Sequence, residues 1–175
     1  MIFRRKVKPA PTTPARIQLT PPPSANRPVL SSVPGKKILI VDDDPITVQA
    51  LTHKLKSRGF QVVTANDASE ALNATRKERP DLMLLDVNLP PEVGCVDWNG
   101  FLVTQWLQRV EEGKNIPVIV MSASDRAEYK ERAMISGATA FFCKLTDNDQ
   151  LLASIDSALR GNSGKPNPTK PVFDI

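Results

Sequence analysis

The chain has 175 residues, 41% of them hydrophobic, and a formal net charge of +4, which bounds it to one domain with a core, or one domain with extensions. Residues 1–35 carry Arg4, Arg5, Lys6, Lys8, Arg16 and Arg27 and no acid, residues 161–175 contribute +1, and the stretch 36–160 is left at −3. The basic pI therefore belongs to the arm, which takes away most of the support for a nucleic-acid reading of the whole chain. No apolar run approaches the ~18 residues of a membrane span, and the basic start has no apolar stretch behind it, so neither a transmembrane segment nor a secretory signal is expected.

Eight of the 16 prolines fall in residues 1–35, a segment with few large apolar side chains, which reads as a disordered, partly polyproline-II arm. Residues 161–175, rich in Gly, Asn and Pro, read as a second loose tail. Between them, over 36–160, strand-like and helix-like segments alternate.

The first strand spans 37–41. Asp44 then caps a helix that opens on Pro45, the favoured place for proline, carries Val48, Leu51 and Leu55 on one stripe, and stops near Arg58-Gly59. A second strand covers 61–65, and Asp67-Ala68-Ser69-Glu70 has capping-box spacing for a helix to about Arg79. Pro80 breaks it. The third strand, 81–85, ends at Asp86, and a long loop over 87–98 follows. A helix over 99–112 buries Phe101, Leu102, Trp106 and Leu107. The fourth strand runs from Ile116 to Met121 with Ser122 at its end, and a helix covers 125–136. The fifth strand, 139–143, ends at Lys144, and Asp147 or Asn148 caps a last helix carrying Leu151, Leu152, Ile155 and Leu159. Short apolar strands alternating with helices imply an α/β fold: a five-stranded parallel sheet, (βα)5, with both faces covered.

In such sheets ligands bind outside the carboxyl ends of the strands. Asp42 and Asp43 leave the first strand, Asp86 the third, Ser122 the fourth and Lys144 the fifth. Two like charges ~4 Å apart repel by roughly 4 kcal/mol at an effective dielectric of 20, so three carboxylates need a cation. Oxygen-only donors suit Mg²⁺, which typically takes one or two carboxylates plus a phosphate. Asp43 and Asp86 are the choice for direct ligands, with Asp42 acting through water. Lys144 can neutralise a phosphoryl group as a point charge, the Ser122 hydroxyl can donate to one of its oxygens, and Asp86, central on the edge, is the candidate nucleophile.

The pieces Ile40-Val41-Asp42-Asp43-Asp44-Pro45, Leu85-Asp86-Val87-Asn88-Leu89-Pro90, Met121-Ser122-Ala123 and Phe142-Cys143-Lys144 stand in the order and spacing of a known family. Over about 36–160 the chain resembles the receiver domain of two-component response regulators. The resemblance implies a flavodoxin-like, doubly wound sheet in the order 2-1-3-4-5. It implies that Asp86 accepts a phosphoryl group from a phosphohistidine on a sensor histidine kinase or phosphotransfer protein. Asp42 and Asp43 become the acidic Mg²⁺ pair, the Asn88 backbone carbonyl completes the coordination, Ser122 is the switch hydroxyl, Phe141 the switch aromatic and Lys144 the phosphate-binding lysine. Such a protein is a cytoplasmic switch that catalyses only its own phosphorylation and dephosphorylation. Only 15 residues follow residue 160, too few for a DNA-binding domain, so output is expected from a downstream protein or from the arms.

The chain departs from the family in three places. Leu145 stands where receivers have proline, so a trans turn is expected and the direction of Lys144 is left open. The segment from Pro90 to Gly100 is about six residues longer than usual. Phe141 replaces the commoner tyrosine. Leu145 and the long loop motivate a second reading, a receiver-like interaction module not controlled by phosphate. A third is a metal-dependent phosphatase of the haloacid dehalogenase type, for which Asp42 and Asp44 have the right spacing, but Asp147 and Asp149 sit where a helix begins and no later strand ends in an acidic pair. His53, off the apolar stripe, reads as a surface residue; Cys95 and Cys143 read as ordinary thiols; Trp98 is either packed over the domain or a partner contact.

Overall fold

The computed structural model describes residues 35–90, 98–144 and 148–161. The sequence readings of the arm, of the 91–97 part of the long loop with Cys95, of the turn with Leu145 and the Asp147 cap, and of the tail from 162 onward lie outside the described residues.

Five strands and five helices alternate: β1 Lys37–Val41, α1 Pro45–Ser57, β2 Gln61–Ala65, α2 Ala68–Glu78, β3 Leu82–Asp86, α3 Gly100–Leu107, β4 Val118–Ser122, α4 Ala127–Ile135, β5 Ala140–Cys143 and α5 Asn148–Gly161. All strand pairs are parallel, in the order β2-β1-β3-β4-β5. Strand residues alternate between faces. Leu39, Val41, Met83, Leu85, Val118 and Val120 pack with Ala68 and Ala71 of α2, Phe101, Val103 and Leu107 of α3, and Ala133 of α4. Ile38, Ile40, Leu82, Leu84, Ile119 and Met121 pack on the other side with Leu51 and Leu55 of α1 and Leu151, Leu152 and Ile155 of α5. β1, β3 and β4 are buried on both faces, which is why they are continuous apolar runs rather than alternating ones.

The helix starts follow the local chemistry. Asp44 accepts hydrogen bonds from the Ile46 and Thr47 amides, and Pro45 opens α1. Asp67 accepts from the Glu70 amide at 2.7 Å. Glu70 returns its carboxylate to the Asn66 amide at 2.8 Å, one residue before the position a strict capping box would use. Asn99 caps α3 through the Phe101 and Leu102 amides.

Two boundaries differ from the sequence reading. The third helix ends at Leu107, not near 112, because the chain folds back at once: a Cβ on Gly113 would stand 2.7 Å from the Leu107 carbonyl oxygen. The fourth strand begins at Val118, not Ile116, because Pro117 has no amide to give a ladder; its carbonyl still accepts from the Met83 amide at 3.0 Å. His53 is exposed. Trp98 is half-buried and packs against the α2/α3/α4 face. Among the described residues no helix is long and apolar enough to cross a membrane.

Candidate functional site

The order of the strands puts β1 between β2 and β3. The chain thus leaves the carboxyl ends of β1 and β3 toward opposite sides, which opens a crevice there. Three consecutive aspartates follow β1, and the backbone gives each a different environment. Asp42 prolongs the ladder by one bond, its amide donating to the Ala65 carbonyl at 3.1 Å, and is fully buried. Its Oδ1 accepts the Asp44 amide at 3.0 Å. Asp44 turns outward to cap α1, accepting also from the Thr47 hydroxyl at 2.6 Å. That hydroxyl first, and the capped amides with it, hold the Asp44 carboxyl below its ordinary range. Asp43, between them, is exposed and takes no hydrogen bond from the described residues.

Asp86 is the last residue of β3, opposite Met121 of β4, and is 5% exposed. One carboxylate oxygen of each of Asp42, Asp43 and Asp86 can be chosen so that all three lie within 4.8 Å of one another. Lys144 reaches into this group from the end of β5. Its amide donates to the Ser122 carbonyl at 2.7 Å, and its Nζ stands 2.7 Å from Asp42 Oδ2 and 2.9 Å from Asp86 Oδ2. The contact with Asp42 is an ion pair without the angle of a directed hydrogen bond, since Asp42 Oδ2 has no hydrogen-bond partner. Asp86 Oδ1 is likewise buried with no partner.

The electrostatics follow from this geometry. Burial pushes the Asp86 carboxyl above its ordinary value; Lys144 pulls it down, but Asp42 pushes it up again, and the net direction is up. Burial opposes the Lys144 ammonium, yet the Asp42 and Asp86 carboxylates against it prevail and raise its pKa. One ammonium between two buried carboxylates, with a third carboxylate at the rim, leaves the cluster short of positive charge.

The structure thus brings Asp42, Asp43, Asp86 and Lys144 together by direct proximity, and it settles the direction of Lys144 toward the acids. Ser122 is at the same edge and buried; its Oγ accepts the Ser124 amide at 3.1 Å, which leaves the O–H free to donate. Asn88 is exposed two residues beyond Asp86. Phe141 is half-buried and packs on the α3/α4 side of the sheet. Cys143, opposite Ser122, is a free thiol. Asp44, the second acid of the phosphatase spacing, has both oxygens committed to the α1 cap, which removes it from that role. One residue went unnoticed in the sequence: Gly100, whose Cα lies against the Asp86 carbonyl. The only signal was an Asn-Gly pair opening a helix.

A model of the response regulator receiver domain matches residues 38–156. Protein PilH of Pseudomonas aeruginosa is 34% identical over 125 residues, a span covering 71% of this chain and 98% of that one. The transcriptional regulatory protein KdpE of Mycobacterium tuberculosis is 34% identical over 137 residues, covering 78% of this chain but only 57% of KdpE. Among solved structures, the receiver domain of a Pseudomonas aeruginosa sensor histidine kinase, described with a magnesium ion in its active-site cleft, shares the fold with a TM-score of 0.63 and 24% identity, covering 72% of this chain and 98% of that one. A doubly wound (βα)5 sheet with acids and a lysine at its carboxyl edge defines a phosphorelay receiver. This chain belongs to the response regulator receiver family and is a signalling module of two-component systems.

Proposed function

We propose that Asp86 is the phosphoacceptor of this receiver, charged from a phosphohistidine of a sensor histidine kinase or phosphotransfer protein in the cytoplasm. The observation that carries this reading is the Lys144 ammonium within 3 Å of both buried acids, in a cluster of three carboxylates. The donor set fits Mg²⁺: it is all oxygen, and Asp43 and Asp86 Oδ1 are the carboxylate groups not already engaged. Asp43 and Asp86 would hold the ion directly, with the Asn88 carbonyl, and Asp42 would act through water because both its oxygens already face the Asp44 amide and Lys144. When bound, the ion supplies positive charge against the phosphoryl oxygens.

The protein's own groups do the rest. Asp86 presents a carboxylate oxygen to phosphorus; the O–P bond forms as the P–N bond of the donor breaks. Lys144 pairs with a phosphoryl oxygen as a point charge, giving up part of its contact with Asp42. The Ser122 hydroxyl, with its lone pair held by the Ser124 amide, donates to another. Catalysis of this kind is mostly positioning and charge stabilisation, so the chain acts as a switch on itself and not on a turned-over substrate. Charge at Asp86 then biases Ser122 and Phe141, and through them the face presented to a downstream protein. The test is acetyl phosphate with MgCl2 and intact-mass spectrometry. Wild type gains the mass of one phosphoryl group and Asp86→Asn gains none; labelling of both, or of neither, rejects the assignment.

A further inference from the structure

We propose that Gly100, the first residue of α3, is a positioning residue for the acceptor edge, its bare Cα seating the Asp86 carbonyl while its amide holds the next one. The inference rests on the reading of Asp86 and Asn88 just given. A Cβ added at Gly100 would overlap the Asp86 carbonyl oxygen outright and stand 3.0 Å from the Asp86 carbonyl carbon and 3.1 Å from Val87 Cα. All three are backbone atoms of the strand end, so no side chain can swing away to make room. The Gly100 amide donates to the Val87 carbonyl at 3.0 Å, while the Val87 amide donates to Met121 of β4 at 2.8 Å. The peptide units just before Asn88 are thus gripped from both sides.

Glycine is not needed here for a left-handed backbone. The positive-φ glycines among the described residues are Gly35, Gly59 and Gly137, and Gly100 is helical. What the position requires is the absence of a Cβ. Gly100 is itself fixed from the α3 side: Asn99 caps the amides of Phe101 and Leu102 at 3.1 Å each, and the buried Thr104 hydroxyl donates to the Gly100 carbonyl at 2.7 Å. The excursion between β3 and α3 therefore leaves and returns at one closed neck.

The test uses the full chain, MgCl2 titration by calorimetry, acetyl phosphate labelling and the amide resonance of Asn88. Gly100→Ala is expected to keep its helical circular dichroism, to lose about 10–100-fold in magnesium affinity, as outer-shell supports of metal ligands do, to label more slowly and to shift the Asn88 resonance. Gly137→Ala is the control. It adds a Cβ at φ +94, 2.9 Å from Gln108 Cγ, at the amino end of β5, and should lose stability while keeping wild-type magnesium affinity. Wild-type affinity in Gly100→Ala, or an equal loss in Gly137→Ala, makes Gly100 a packing residue only and overturns the proposal. If Gly100→Ala does not fold, Asn99→Ala decides: it loosens the first turn of α3 without adding atoms near Asp86, and unchanged affinity there overturns it too. A wild type that takes up neither magnesium nor phosphoryl sinks the reading of the acids and this inference together; a wild type that does both while Gly100→Ala matches it sinks only this one.

Discussion

Lys144 Nζ lies 2.9 Å from Asp86 Oδ2, and the same nitrogen lies 2.7 Å from Asp42 Oδ2, so one side chain is the counter-charge for two buried acids. Removing one partner of a buried ion pair is strongly destabilising because it strands the other charge. Lys144→Met is therefore expected to lose roughly 3 kcal/mol of stability in EDTA, read by urea unfolding. MgCl2 should return part of that loss, since a divalent ion can stand in for the missing ammonium. A variant as stable as wild type in EDTA would mean that the acids are solvated and the pairing is incidental.

Asp86→Asn tests the opposite member. Its carboxyl is raised above the ordinary 3.8 chiefly by burial, with Asp42 adding to the shift. An acid whose folded pKa lies above its unfolded one withdraws stability wherever it is ionised, so the metal-free wild type is disadvantaged at neutral pH. The variant should show a higher urea midpoint at pH 7. The gap should close as pH falls through the folded pKa, and vanish below 3.8, where wild type is protonated in both states. MgCl2 should stabilise wild type and leave Asp86→Asn nearly unmoved. A lower midpoint for the variant at pH 7 contradicts the sign of the shift.

Most of this site was legible because β1, β3, β4 and β5 bring their functional groups to one edge. An apolar run that stops at Asp42, Asp86, Ser122 or Lys144 announces both the strand and the group. The cap at Asp44-Pro45 and the pair Asp67/Glu70 were legible for the same local reason: side chain and amide are three residues apart. What the chain order hides is contact at a distance. Nothing adjacent to Lys144 says that it faces Asp42 as well as Asp86, and with Leu145 after it the sequence left its direction open. The contact between Gly100 and the Asp86 carbonyl spans a loop, and a glycine opening a helix gives no sign of what its missing Cβ avoids. The early start assigned to the fourth strand and the late end assigned to the third helix came from reading apolar residues without allowing for Pro117, which has no amide for the ladder, or for how closely Gly113 folds back on Leu107.

At the opposite edge, β1 is tied to the turn before β3. Asp81 Oδ1 takes Lys36 Nζ at 2.7 Å and Oδ2 takes the Lys37 amide at 2.8 Å. Burial alone would raise the Asp81 carboxyl, but the Lys36 ammonium and the Lys37 amide prevail and lower it below 3.8. A depressed carboxyl contributes stability above its unfolded pKa and loses it as pH falls through the folded one. Asp81→Asn should therefore cost about 1 kcal/mol near pH 7, the scale of a charge-assisted bond discounted for exposure. The difference should shrink below pH 3.8, measured by urea titration across the acid range. A difference that persists unchanged at lower pH would assign the effect to shape and not to charge.

Arg79 gives a prediction of the other sign. It ends α2 with φ 46 and ψ 63, its amide donating to the Thr75 carbonyl, and it is the sole non-glycine residue with positive φ among the described residues. A side chain in that region costs about 1 kcal/mol through the clash of Cβ with the following carbonyl. Glycine is the usual residue after a helix for that reason. Its looser unfolded chain takes back part of the gain. Pro80, which follows, cannot continue the helix whatever residue stands at 79. Arg79→Gly is accordingly expected to stabilise the domain by about 0.5 kcal/mol, seen as a higher thermal midpoint with magnesium affinity and Asp86 labelling unchanged, because the turn lies at the edge of the sheet away from the acids. A destabilised variant would show that the Arg79 side chain contributes more through its contacts than its backbone loses.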